Sequence, residues 1–163
     1  MKTLIVYSSQ TGNTRKMAEA ANEMFGETTE LYPVHEAPDP DGYNLIVVCF
    51  WLQAGMPDPK SQAFLSTLDG INLFLVATHG AAPGSAHAMN AMTHAKKLSP
   101  SSTVLGMFNC QGEVNPKVLK KAREKDPQPP WIADAPAAAG HPDAQDVASL
   151  KKAIAATLPA FIG

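Results

Sequence analysis

Residues Leu4-Ile5-Val6-Tyr7-Ser8-Ser9-Gln10-Thr11-Gly12-Asn13-Thr14 join an apolar run to a short loop of hydroxyl and amide side chains with one glycine. A helical pattern begins directly after this loop, because apolar residues recur on one helix face: Met17, Ala21, Met24 and Phe25. The stretch therefore predicts a strand, a turn and a helix N-terminus. Such a turn suits an anion, since the first N–H groups of a helix have no partner within the helix.

The loop lacks the residues of two common phosphate loops. A triphosphate loop carries Gly-Lys-Ser/Thr and a dinucleotide loop carries Gly-x-Gly-x-x-Gly, whereas this loop has Gly12 alone and no lysine. Ser9, Thr11 and Thr14 offer hydroxyl donors, and residues 10–14 offer backbone N–H groups. These groups fit a phosphate monoester that is bound by hydrogen bonds rather than by countercharge. A capped helix start without a ligand fits the same residues.

Composition limits the classes of function. The chain of 163 residues is 45% hydrophobic and 17% charged, which predicts one globular domain over residues 1–163. Its 15 acidic and 13 basic residues give a net charge of −2, and the lysine pairs at 96–97 and 120–121 are isolated, so we expect no nucleic-acid partner. Cys49 and Cys110 lie in apolar runs, as buried reduced thiols do. With no apolar run of membrane-spanning length and no signal-peptide core, we expect a cytoplasmic protein without a membrane partner.

Apolar runs alternate with helical patterns along the chain. After the first strand, the predicted strands are Thr29–Val34, Leu45–Phe50, Leu73–Ala77 and Val104–Phe108. Later helices are predicted from Pro59 to Leu68 behind an Asp58 cap, after Ser85, from Pro116 and after Pro142, and Gly26 is expected to end the first helix. Trp51 to Pro57 and Thr78 to Gly84 are predicted loops. Segment 126–140, rich in Pro and Ala and containing Trp131, is expected to cross the surface irregularly.

This alternation predicts an α/β fold with three layers and a doubly wound, five-stranded parallel sheet. With right-handed crossovers, the natural strand order is 2-1-3-4-5, and Pro33 makes the second strand an edge strand. Ligands of such sheets bind at the carboxyl ends of the strands beside the reversal of order, here between strands 1 and 3. The loops Ser8–Thr14 and Phe50–Gly55 follow these two strands, so the motif lies where the topology places a ligand.

The spacing Ile5-Val6-Tyr7-x-Ser9-x-x-Gly12-x-Thr14-x-x-x-Ala18 resembles the signature of the flavodoxin family, whose loop of this form holds the phosphate of FMN. Segments 50–55, 108–112 and 141–143 add to the likeness, which covers nearly the whole chain and points to small single-domain flavodoxin-like proteins. The resemblance implies FMN as the cofactor and the flavodoxin-like sheet.

By this resemblance three loops bind the cofactor. The implied cofactor-binding residues are Ser8, Ser9, Gln10, Thr11, Gly12, Asn13, Thr14, Trp51, Leu52, Gln53, Ala54, Gly55, Thr78, His79, Gly80 and Ala81. The Trp51 indole can cover one face of a planar ring, although a Trp packed under its loop fits the same position. Gly55 resembles the position where flavodoxins place a peptide near flavin N5, and we hypothesise that a peptide beside Gly55 flips on reduction.

The third loop lacks an aromatic side chain for the other face of the ring. That face is then covered by His79 or left open to a partner or substrate. His79 fits the role of an ordinary loop histidine equally well. A histidine near the flavin would make its redox behaviour depend on pH near neutrality. We assign no catalytic residue and no metal ligand, because no Ser-His-Asp set, carboxylate pair or metal-ligand spacing occurs.

The resemblance implies an FMN-binding electron-transfer protein that shuttles electrons between a reductase and an acceptor enzyme, both as redox partner proteins. We expect a monomer or a weak dimer. Two alternatives stay open. One is an NAD(P)H-dependent FMN- or quinone-type reductase, or an accessory to reduction of a tetrapyrrole-like substrate. The other is a binding module that kept the fold and lost the cofactor.

Overall fold

The computed structural model describes residues 1–162. Its strands are β1 (Thr3–Tyr7), β2 (Thr29–Pro33), β3 (Leu45–Gln53), β4 (Met56–Pro57), β5 (Asn72–His79) and β6 (Thr103–Gln111). Its helices are α1 (Asn13–Asn22), α2 (Pro59–Leu65), α3 (Ala86–Lys97), α4 (Pro116–Arg123) and α5 (Ala144–Thr157). Short 3₁₀ turns occupy Val34–Glu36 and Ala135–Ala138. No helix within the described residues is both long and apolar enough to cross a bilayer.

The sheet confirms the predicted topology. Its long strands lie in the order β2-β1-β3-β5-β6 and are all parallel, so the five predicted strands follow the order 2-1-3-4-5, with β4 as a short addition to β3. Val6 stands opposite Tyr32 on one side and Val48 on the other. The order therefore reverses between β1 and β3, at the predicted switch point.

Alternate residues of each strand pack into two hydrophobic cores, one on each face of the sheet. Ile5 and Val47 face a cluster that includes Met17 of α1 and Leu150 of α5. A second cluster on the opposite face contains Leu4, Val48, Leu73, Leu65 of α2 and Met92 of α3. Because both faces are covered, the central strands read as continuous apolar runs. The three-layer α/β prediction is confirmed.

The predicted loop after the third strand is instead a β-hairpin. β3 continues through Trp51 to Gln53, and Gln53 pairs antiparallel with Met56 across a two-residue turn. A two-residue turn of type I′ has positive φ at both central residues, and Ala54 and Gly55 adopt φ values of 52° and 75°. The sequence did not predict this turn, because Asn or Gly usually occupies the position that Ala54 has here.

Two helix ends also differ from prediction. α1 ends at Asn22 with Glu23 as its C-cap, so Gly26 does not cap it. α2 ends at Leu65 rather than Leu68, because the hydroxyls of Ser66 and Thr67 donate to the carbonyls of Gln62 and Phe64, at 2.8 and 2.7 Å. Hydroxyl side chains that bond to the local backbone compete with helix continuation.

Gly106 of β6 is a packing requirement. A Cβ built there would stand 2.6 Å from Thr157 Cγ2 and 2.7 Å from Cε2 of the buried Phe74 ring. We expect Gly106→Ala to lower the free energy of unfolding by about 2 kcal/mol, because overpacking forces neighbouring groups to shift. Urea titration measures this. Gly26→Ala, where a Cβ meets nothing within 4 Å, is the matched control, and equal losses in both variants would contradict the packing argument.

The start of α5 has a capping box formed by Asp143 and Asp146, and His141 bonds to it. Asp143 accepts the N–H groups of Gln145 and Asp146, while the Asp146 carboxylate accepts the Asp143 N–H. Asp146 Oδ2 also lies 2.6 Å from His141 Nδ1. His141, Asp143 and Asp146 sit close enough to hold a metal ion, but these bonds already serve the helix end. The hydrogen bond to Asp146 raises the pKa of His141 above its ordinary value.

This arrangement predicts a pH-dependent contribution to stability. Because the folded state favours the imidazolium, the contribution is fully present below the unfolded pKa of about 6.5 and is lost as pH rises through the raised folded pKa. We expect the coupling between His141→Gln and Asp146→Asn in a double-mutant cycle to be larger at about pH 5.5 than at about pH 9. Urea unfolding of the four proteins measures it, and a coupling that grows with pH would contradict the assignment.

Candidate functional site

A cavity of about 710 Å³ opens at the carboxyl ends of β1, β3 and β5. It brings together parts of all three predicted loops. The predicted residues that line it are Gln10, Thr11, Asn13, Thr14, Trp51, Leu52, Gln53, Ala54, Gly55, Thr78, His79 and Gly80. The cavity thus lies at the topological switch point, where open α/β sheets bind ligands.

The other four predicted residues lie outside this cavity. Ser8, Ser9 and Gly12 line a smaller hollow of about 400 Å³ on the other side of the loop, and Gln10 borders both spaces. Ala81 is buried and lines neither. Arg15, His35 and Lys60 also line the smaller hollow, so the cationic side chains of Arg15 and Lys60 flank a loop that contains no lysine.

The loop before α1 is held in place by its own hydrogen bonds. Gly12 has a φ of 93° and its N–H donates to Ser9 Oγ at 3.1 Å. Asn13 Nδ2 donates to the Glu113 carbonyl at 3.0 Å. The hydroxyls of Thr14 and Thr78, both buried, lie 2.8 Å apart and join the first loop to the end of β5. The first turn of α1 therefore presents its N–H groups from a fixed position.

Ser8 has a different role from its neighbours. Its hydroxyl donates to Asp58 Oδ1 at 2.8 Å, and the same carboxylate accepts from the N–H and the hydroxyl of Ser61. Asp58 is the N-cap of α2 and is 1% exposed. This buried network joins the end of β1 to the start of α2 beneath the site.

Two buried ring nitrogens in the cavity wall have no hydrogen-bond partner within the described residues: Trp51 Nε1 and His79 Nδ1. The His79 Nε2 lies 2.9 Å from Asn109 Oδ1. With that oxygen as acceptor, the ring proton is on Nε2 and Nδ1 is left as an acceptor. Burial lowers the pKa of His79 below its ordinary value, although the bond to Asn109 opposes this. The neutral imidazole is therefore favoured.

His87 packs on the hairpin turn. A Cβ built on Gly55 would stand 3.3 Å from His87 Cε1, and His87 also lines the cavity from the first turn of α3. Its place above the turn is not visible from spacing, because it depends on how α3 crosses the end of β3.

Segment 126–140 contributes another residue that sequence reasoning missed. Trp131 lines the cavity, and its Cε3 would lie 3.3 Å from a Cβ built on Gly80. Asp134 anchors the segment by accepting the Ala82 N–H at 3.0 Å. The segment therefore covers the third predicted loop and brings a second indole to the cavity. Its only sequence signal is a tryptophan among prolines.

The two cysteines take no part in this site. Cys49 and Cys110 are free and buried. Burial raises the pKa of both thiols, that of Cys110 to about 12, with a smaller effect from Asp146 and Asp143. Thiols held in the protonated form are poor nucleophiles.

A family model described as the flavodoxin domain matches residues 4–155. A flavodoxin-like domain-containing protein named BilS from Clostridium symbiosum is 29% identical over 185 aligned residues, covering 98% of this chain and 97% of that protein. BilS from Clostridioides difficile is 27% identical over 129 residues, covering 76% of this chain and 73% of that protein. A solved flavoprotein in complex with FMN from Lactobacillus acidophilus superposes with a TM-score of 0.55 and 18% identity, over 66% of this chain and 92% of that one.

Proposed function

We propose that this chain, which belongs to the flavodoxin domain family, binds FMN in the cavity between β1, β3 and β5 and carries electrons between a reductase and an acceptor enzyme. The observation that carries the proposal is the arrangement of this cavity. The first turn of α1 lies at its wall, and two indoles, Trp51 and Trp131, line it. A helix N-terminus suits a phosphate and an indole suits a planar ring.

The residues present fit FMN in size and chemistry. A volume of about 710 Å³ lies within the range of about 300–1,000 Å³ that ligand pockets span. Trp51 Nε1 and His79 Nδ1 are buried polar atoms without a hydrogen-bond partner in the described structure. The imide edge of a flavin offers both an N–H group and carbonyl oxygens, which are groups that ring nitrogens of Trp and His can bind.

Each part of the chain has a separate task in this proposal. The Thr11 hydroxyl and the N–H groups of residues 10–14 would bind the phosphate, except the Gly12 N–H, which donates to Ser9 Oγ. Arg15 and Lys60 of the smaller hollow would add positive potential. The two indoles would orient the ring and exclude water from its faces. His87 and the Ala54-Gly55 turn would border the ring and can place a backbone hydrogen bond there. The bound flavin supplies the redox chemistry.

The test is the absorption spectrum of the purified protein, followed by stepwise anaerobic reduction with dithionite. We expect a bound-flavin spectrum and an intermediate one-electron stage during reduction. Direct conversion to the two-electron-reduced state, with steady oxidation of NAD(P)H by the pure protein, would replace the carrier with the reductase. A colourless protein that added FMN does not restore would overturn both.

A further inference from the structure

The charge of this protein is distributed unevenly. The segment 116–125, which is α4 and the two residues after it, carries five basic residues and one acidic residue, for a net charge of +4. The five are Lys117, Lys120, Lys121, Arg123 and Lys125. Since the whole chain has a net charge of −2, the remaining residues carry −6. The lysine pair that looks isolated in the sequence therefore belongs to a basic segment on an otherwise acidic molecule.

These cations are available for an external partner. All five are exposed, and within residues 1–162 none has a carboxylate oxygen at 4.0 Å or closer. The helix macrodipole favours cations in the last turn of α4 but disfavours Lys117 in the first turn. Helix stability therefore does not account for the whole set.

α4 packs thinly on the rest of the protein. Ala122 is its one buried residue in the described structure, and Val118 is 47% exposed. A helix that packs fully on a protein core buries a continuous apolar face. Exposed cations and an exposed aliphatic side chain therefore lie together on α4.

The basic segment borders the candidate cofactor cavity. Val118, Lys121, Ala122 and Lys125 line its mouth. Glu113, the carboxylate on the same lining, accepts the Gly140 N–H at 3.2 Å and is engaged in the loop. A partner that binds the segment would therefore be brought next to the cavity.

We propose that segment 116–125 is the docking surface for a redox partner protein whose contacting face is acidic. This inference rests on the proposed function and adds the chemistry of the partner's contacting face. A protein fits better than a small anion, because α4 spans about 12 Å and its cations lie on more than one face of the helix. Complementary charge around a redox site speeds diffusional encounter and orients it.

The first experiment is a binding titration that does not need a loaded cofactor. ¹⁵N-labelled protein is titrated with an acidic b-type cytochrome and, separately, with a basic c-type cytochrome at about 10 mM salt. We expect amide shifts centred on residues 117–125 with the acidic protein alone, and their loss at about 300 mM salt. Binding of the basic cytochrome at the cavity mouth, or shifts elsewhere, would overturn the proposal.

A charge-neutralising variant gives a second readout. We expect Lys121→Gln/Lys125→Gln to weaken binding of the acidic cytochrome about three- to tenfold at low salt. The control Lys96→Gln/Lys97→Gln, at the end of α3, should leave this binding unchanged. With the FMN-loaded protein, the electron-transfer rate to the acidic cytochrome should fall in parallel. A small neutral quinone serves as the control acceptor, and its rate of reduction should not change. An equal loss of rate with the quinone would show that the substitutions act on the cofactor site and would overturn the docking proposal.

Discussion

Asp58→Ala is expected to lower the free energy of unfolding by about 3 kcal/mol. The Asp58 carboxylate is buried and accepts three hydrogen bonds, from Ser8 Oγ, Ser61 N and Ser61 Oγ, at 2.8, 3.2 and 2.7 Å. Removal deletes the N-cap of α2, which costs about 1 kcal/mol. It also leaves two buried hydroxyls without an acceptor, at about 1–3 kcal/mol each when no water replaces the carboxylate.

The measurement is urea unfolding followed by circular dichroism. Asp41→Ala, on an exposed aspartate of the loop before β3, is the matched control and should change stability by less than about 0.5 kcal/mol. Asp58→Asn keeps one oxygen acceptor and should fall between wild type and alanine. If alanine and asparagine were equally destabilising, the loss would lie in the charge of Asp58 rather than in its hydrogen bonds.

The Asp58 network also explains why Ser8 behaves differently from its neighbours in the loop. The resemblance assigned Ser8 to the cofactor, but its hydroxyl is used within the protein. Sequence reasoning assigned Asp58 only to the start of a helix, which the structure confirms. The pairing of the two residues, fifty positions apart, follows from the parallel register of β1 and β3, which places their ends side by side.

The sheet was predictable because its strands are buried on both faces. Runs such as Leu45–Phe50 and Leu73–Ala77 have no polar interruption, and all of their residues are buried in the structure. The helix caps at Asp58 and Ser85 were also predictable, because each side chain accepts a backbone N–H at its helix start. Both kinds of signal are local in sequence.

The missed features depend on tertiary contacts. The hairpin at Ala54-Gly55 requires positive φ at an alanine, which local preference disfavours. His87 and Trp131 reach the cavity only because α3 and segment 126–140 are positioned by other elements. In the sequence, the cations of α4 look like an ordinary solvent-exposed helix face. Only the structure places Lys121 and Lys125 at the mouth of the cavity. Local patterns do not encode these juxtapositions.

Trp131→Ala is expected to weaken FMN binding by at least about tenfold. If the flavin ring binds in the cavity, the Trp131 indole forms part of the cavity wall, although it lies outside the three predicted loops. It packs against Gly80, and Asp134 holds its segment in place by accepting the Ala82 N–H. Losing an aromatic contact removes about 0.5–1.5 kcal/mol beyond the buried apolar area, and about 1.4 kcal/mol is a tenfold change in affinity. Trp131→Phe keeps an aromatic face and should stay within about threefold of wild type.

Titration of the apoprotein with FMN and with riboflavin, followed by flavin fluorescence, separates ring contacts from phosphate contacts. Trp131→Ala should weaken both ligands by the same factor, because the indole would contact the ring that they share. Thr11→Ala should weaken FMN alone, since riboflavin has no phosphate. If Trp131→Ala spared riboflavin, the indole would act through the phosphate loop and not as a wall of the ring site. Wild-type protein that binds neither ligand would count against the cofactor itself, whereas binding that is unchanged in Trp131→Ala would count against Trp131 alone.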